Sequence, residues 1–162
     1  MNKVALLALL VLAPAAWSQE DEITDHDRFA LWDRFELWDN CRPMNLLVEG
    51  LSSDAAKINL TKQDIEIAVR SRLRAARLYD GETTNALYVQ VTVAKSAFFI
   101  STQYIKRVED TYNGLVGFSP TWRAGTIGTH RQDSSYILST ISPMVDRFID
   151  EYLRVNESGC SK

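Results

Sequence analysis

The stretch from Thr61 to Tyr79, TKQDIEIAVRSRLRAARLY, constrains the fold more than any other, because it joins a start signal, an apolar period and dense positive charge. Thr61 can accept the orphan N–H of Asp64 while the Asp64 carboxylate reaches back, a capping box with aspartate in the glutamate position. Asp64 and Glu66 lie where the helix dipole favours negative charge, and the arginines follow toward the end where it favours positive charge. At about 100° per residue, Ile65, Val69, Leu73 and Ala76 form one stripe, flanked by Ala68 and Tyr79, which should face a core. Arg70, Arg74 and Arg77 fall within about 60° of each other on another side, a local basic ridge that is either a solvated face or a site for an anion or acidic partner. Arg72 falls inside the apolar stripe, so either its stem snorkels outward or its guanidinium is buried against a carboxylate.

Residues 1–18 carry one positive charge at Lys3, an apolar run from Val4 to Ala13, then Pro14 and small residues. This is the pattern of a signal peptide, with cleavage expected near Gln19 and a periplasmic or secreted product without a transmembrane segment in the mature chain. Loss of Lys3 leaves the product mildly acidic, which disfavours bulk nucleic-acid binding. About 144 residues remain, enough for one domain with its own core. Residues 19–27 are acidic and lack apolar periodicity, so they are expected to be disordered, and 28–162 to form a single domain.

The two cysteines, Cys41 and Cys160, are directed to an oxidising compartment and can pair only with each other, so a disulfide is expected.

An internal repeat precedes the first of them. Asp27-Arg28-Phe29-Ala30-Leu31-Trp32 is followed by Asp33-Arg34-Phe35-Glu36-Leu37-Trp38. Phe29, Trp32, Phe35 and Trp38 recur every three residues, as on one side of a short helix, whereas Phe35 and Leu37 alternate as in a strand. The expectation is a helical or irregular first copy, with Phe29 and Trp32 partly exposed and available to a partner, and a second copy entering the core as a strand.

Downstream, 45–51 reads as a buried strand, and Asp80-Gly81 as the end of the main helix with glycine in the C-cap position. Residues 86–94 alternate Leu87, Val89, Val91 and Val93 against polar neighbours, and 97–108 is a second long strand after a tight turn at Lys95-Ser96. Residues 110–120, with Gly114, Gly117 and Pro120, read as a loop, and 121–129 as a third antiparallel strand. A last helix spans about 133–155 and should kink at Pro143. The fold expected is α+β: a sheet of about four strands, antiparallel or mixed, with two main helices on one face.

The segments CRPMNLLVE, LTKQDIEIAVRSRLRAARLYD, GTHRQDSSYIL and FIDEYLRVNE resemble small exported Gram-negative proteins of unestablished function, over most of the mature chain. The element order is more loosely similar to the amino-terminal domain of the TolB envelope protein and to LpoB-type activators of penicillin-binding proteins. That resemblance implies work by protein–protein contact without cofactor, and assigns no site residues. In a bacterial chain Asn59-Leu60-Thr61 and Asn156-Glu157-Ser158 match the glycosylation pattern by chance.

No catalytic or metal-binding constellation stands out. The two histidines, His26 and His130, lack the spacing of a metal site, and Asp133, Ser134 and Ser135 after His130 are explained by a capped helix start. The function expected is therefore a non-catalytic module that binds another envelope protein through Phe29, Trp32 or the arginine ridge; the alternative is a carrier or sensor of an anionic ligand held by Arg70, Arg74 and Arg77.

Overall fold

The computed structural model describes residues 25–160, with side chains from residue 30 onward. The expected signal peptide, residues 1–18, and residues 19–24 of the acidic segment lie outside the described residues. The chain runs α1 (Asp25–Leu37), β1 (Asn45–Val48), α2 (Ser53–Lys57), α3 (Lys62–Ala75), β2 (Ala86–Val93), β3 (Ala97–Glu109), β4 (Val116–Thr129), α4 (Ser134–Val155) and α5 (Glu157–Cys160). The four strands form one mixed sheet in the order β1-β2-β3-β4, with β1 parallel to β2 and the other neighbours antiparallel. This is the α+β fold that the element order implies.

Strand alternation decides which side of the sheet is covered. Leu87, Val89, Val91 and Val93 of β2 lie in register with Tyr104, Thr102, Ile100 and Phe98 of β3, and all are buried. Against that face pack Ile65, Val69 and Leu73 of α3 and Ile137, Ile141, Val145 and Phe148 of α4. An aromatic cluster closes the far end of this core: Trp122 and Phe148 are 5.1 Å apart, and Tyr104 is 5.7 Å from Phe148 and 5.6 Å from Tyr152. Each phenol finds an acceptor, Tyr104 on the Asp39 carboxylate and Tyr152 on the Arg42 carbonyl, both at 2.8 Å. Burial pushes both phenols above the usual tyrosine range.

The capping box at Thr61 is present, with Asp64 N–H donating to Thr61 Oγ1 and Thr61 N–H to Asp64 Oδ2, both at 3.1 Å. The other end departs from expectation. Gly81 does not cap α3, which has already stopped at Ala75 with Ala76 as its cap. Arg77 takes the left-handed position at φ 60°, while Leu78 N–H donates to Leu73 O at 2.8 Å and Arg77 N–H to Arg74 O at 3.0 Å. That is a Schellman ending built on arginine where glycine is usual. Tertiary context dictates the stop, because Leu78 must be buried and Tyr79 must bridge Met44 beside β1. Arg77→Gly is expected to raise the unfolding free energy by about 1 kcal/mol by removing the left-handed Cβ penalty, measured by denaturant melts. A loss of stability would show that the Arg77 side chain makes contacts worth more than that strain.

Two further elements differ from the reading of the chain. β4 begins at Val116, inside the stretch expected to be loop, so Gly117 and Pro120 are strand residues. Proline is tolerated there because β4 is an edge strand and the register shifts between Tyr104 and Ile105, opposite Trp122 and Pro120. The first strand is shorter than 45–51, ending at Val48. The last helix is where it was expected: α4 is one helix with Pro143 inside it, and Asp133 caps its start by accepting Ser135 N–H at 2.9 Å.

Candidate functional site

Both copies of the aromatic repeat lie in α1 except for Trp38, which follows its last residue and still donates its N–H to Arg34 O at 3.0 Å; this corrects the expectation of a strand in the second copy. The segment has no glycine or proline, and helical spacing sets Phe35 and Leu37 about 200° apart, so only one of them can face the domain. Leu37 does, at 2% exposure. Phe35 and Trp38, expected in the core, are 57% and 43% exposed, alongside Leu31 at 58% and Trp32 at 63%. Leu31, Phe35 and Trp38 fall within about 60° of one another around the helix. Trp32 stacks on Phe35 at 5.6 Å, and Arg34 lies over the Trp38 ring at 5.9 Å. Phe29 belongs to the α1 backbone, and its side chain is outside the described part. The helix also starts at Asp25, inside the segment expected to be disordered.

Polar groups fasten α1 from beneath. Lys106 Nζ, on the covered face of β3, donates to Phe35 O and Trp38 O, both at 2.9 Å, and so caps the carbonyl end of the helix. Burial pushes this ammonium below the usual lysine range, and the Asp39 carboxylate pulls in the opposite direction. Thr121 Oγ1 donates to Glu36 O at 2.6 Å, and Arg154 pairs with Asp33 at 2.7 Å. Asn156, fully buried, accepts Asp39 N–H and Cys41 N–H at 2.7 and 3.1 Å and donates to Leu37 O at 2.9 Å. Burial, with Asp33 and Glu151 adding to it, raises the Glu36 carboxyl above its usual range. The result is a helix held by its polar backbone end and one leucine, with its large apolar side chains in solvent.

The arginine ridge is rearranged. Arg70 pairs with Glu66 at 3.3 Å and lies over the Tyr79 ring at 5.5 Å, where Arg74 joins it at 5.1 Å. Arg70 Nε is buried there without a partner. Arg77 is exposed but has left the helix, so the three do not form one helical row. Arg72 pairs with Asp146 of α4 while staying part exposed, joining the two main helices. Its stem snorkels and its head finds a carboxylate.

His130, Asp133 and Ser135 do not assemble into a relay. His130 is buried, its Nε2 lies 2.9 Å from Ala94 O, and its Nδ1 accepts Gln132 N–H at 3.0 Å. Asp133 Oδ1 instead receives the Ser135 hydroxyl at 2.6 Å, and this bonding holds its carboxyl below the usual range. Arg131 and Gln132 take left-handed φ values of 42° and 63° to make the corner between β4 and α4. Among the described residues no group of three or more His, Cys, Asp or Glu is placed to hold a metal ion, and no helix is long and apolar enough to cross a membrane. Cys41 and Cys160 are joined, with Cα atoms 5.1 Å apart.

No protein-family model matches the chain, and no curated protein sequence does either. Trp32 was legible as an exposed candidate from the three-residue aromatic period. Phe35 and Trp38 were not, because the alternation of Phe35 and Leu37 also fits a strand that carries the second copy into the core, and Leu31 lies outside the aromatic period.

Proposed function

We propose that the chain is a non-catalytic periplasmic interaction or envelope-assembly module that docks another envelope protein through α1. The observation that carries this reading is the exposure of Leu31, Trp32 and Phe35 on one short helix and of Trp38 immediately after it. A contiguous apolar surface of this kind costs free energy in water and is commonly a contact surface. Its fastening supports the same reading, because the polar bonds from Lys106, Thr121 and Asn156 position α1 without using its aromatic side chains. The disulfide is compatible with an oxidising compartment, and the loose resemblance of the element order to TolB-like and LpoB-like contact domains agrees with the reading. The anion-carrier alternative is weaker, because Arg70 and Arg74 are occupied with Glu66 and the Tyr79 ring.

The test uses the mature protein with a photocrosslinking side chain at position 32. One discrete adduct with an envelope protein is expected, lost in Phe35→Ala and kept in the triple Arg70→Gln, Arg74→Gln, Arg77→Gln variant. Phe35→Ala and Trp38→Ala should each cost less than about 1 kcal/mol of stability, whereas Leu37→Ala should cost about 2–4 kcal/mol. Loss of the adduct in the arginine variant alone would transfer the site to the ridge. Large stability losses at Phe35 and Trp38 would make the patch structural.

A further inference from the structure

We propose that β4 is a homodimerisation edge, pairing antiparallel with β4 of a second copy about a two-fold axis at Thr126. This rests on the backbone of the sheet and is independent of the role given to α1. β4 is the last strand of the sheet, so one side of it has no strand neighbour among the described residues. His130 turns its N–H toward β3, donating to Ser96 O at 3.1 Å. Residues along a strand alternate the side to which they turn both backbone groups, so Arg123, Gly125, Ile127 and Thr129 turn theirs to the free edge.

Exposed edges are ordinarily blunted by charge, proline, bulges or cover. The first half of β4 has such protection: Pro120, the register shift beside it, and α1 bonded at Thr121. Ala124–Thr129 has none, containing only Ala, Gly, Thr and Ile. Centring the pair on Thr126 sets Gly125 opposite Ile127 of the second copy and Arg123 opposite its Thr129. Every outward N–H and C=O of these four residues then meets a partner, and the one charge on the run stays away from its own copy.

Side chains on the open face agree with this register. Ile127 is 78% exposed and Phe99, its cross-strand partner, 42%. A Cβ on Gly125 would lie 3.3 Å from the Phe99 ring, so the missing side chain lets that ring lean toward the edge. Ile127 of the second copy, opposite Gly125, comes against the ring, and the symmetry repeats the contact. The assembly is a continuous sheet through both copies with their helices on one face, the closed isologous arrangement favoured in dimers.

Sedimentation equilibrium of the mature protein over a wide concentration range is expected to give the dimer mass at the upper end. Ile127→Pro removes an outward N–H that the β3 ladder does not use. It should weaken dimerisation at least tenfold while keeping the wild-type circular dichroism and melt. Ile127→Lys provides the same test should the proline variant fail to fold. Thr126→Cys should form an interchain disulfide on air oxidation, because the two copies of this residue are direct cross-strand neighbours about 4.5 Å apart at Cα. A wild-type protein that stays monomeric throughout would overturn the proposal. So would a dimer that survives Ile127→Lys, or a Thr126→Cys protein that gains no interchain bond.

Discussion

Replacing both Cys41 and Cys160 with serine should lower the unfolding free energy by about 3–5 kcal/mol. The bond closes a loop with a sequence separation of 119, and in the chain-entropy model a loop of that length restricts the unfolded chain by about 5 kcal/mol. Against this stands local strain. Asn40 and Cys41 both hold left-handed φ values, 53° and 58°, which cost about 1 kcal/mol or more each and relax in part when the bond is absent. The net effect is therefore smaller than the loop term alone. Denaturant melts of the wild type and the double variant, compared also in reductant, measure it. In reductant the two proteins should coincide. A difference below about 1 kcal/mol without reductant would mean that the unfolded chain is already compact around these ends.

Asn156→Ala is the second large effect, expected at about 3–5 kcal/mol. The residue is fully buried and spends its amide on three backbone groups at and just after the end of α1: Asp39 N–H, Cys41 N–H and Leu37 C=O. Alanine removes the partner of all three, one in a buried bond and two in part-buried ones, and each orphan costs about 1–3 kcal/mol. Asn156→Asp keeps the two acceptor functions but turns a carboxylate oxygen toward Leu37 O. A protonated carboxyl can donate to that carbonyl and an ionised one cannot, so burial raises the folded-state pKa of this new group. Its variant should therefore be closest to wild type at low pH and lose stability as the pH rises through that value. Hydrogen exchange of α1 amides should quicken in Asn156→Ala before that of β2 and β3. Unchanged α1 protection would show that Lys106, Thr121 and Leu37 suffice to hold the helix. The disulfide and Asn156 restrain the same few residues, so their losses should not add.

Local signals in the sequence determined the elements whose causes are themselves local. The capping box at Thr61, the apolar stripe of Ile65, Val69 and Leu73, the alternation along β2 and the tight turn before β3 each depend on neighbours within a few residues. Those signals determined the α+β class with the main helices on one face, and a count of two cysteines left a single possible pairing, which the structure has. Only the tertiary structure decided the rest. The repeat fits a three-residue and a two-residue period at once, and the choice of helix is completed by distant partners, Lys106 from β3, Thr121 from β4 and Asn156 beyond α4. α3 ends on Arg77 and not at Gly81 because Leu78 and Tyr79 are needed against Met44 and β1. The arginine ridge follows a helical wheel only as long as the helix lasts, and Tyr79 draws Arg70 and Arg74 onto its ring. β4 extends through Gly117 and Pro120 because pairing with β3 supplies backbone bonds that outweigh their weak strand preference. Asn156 carried no local mark of its importance, since a buried amide is recognised by the backbone groups it meets, and those lie more than a hundred residues away.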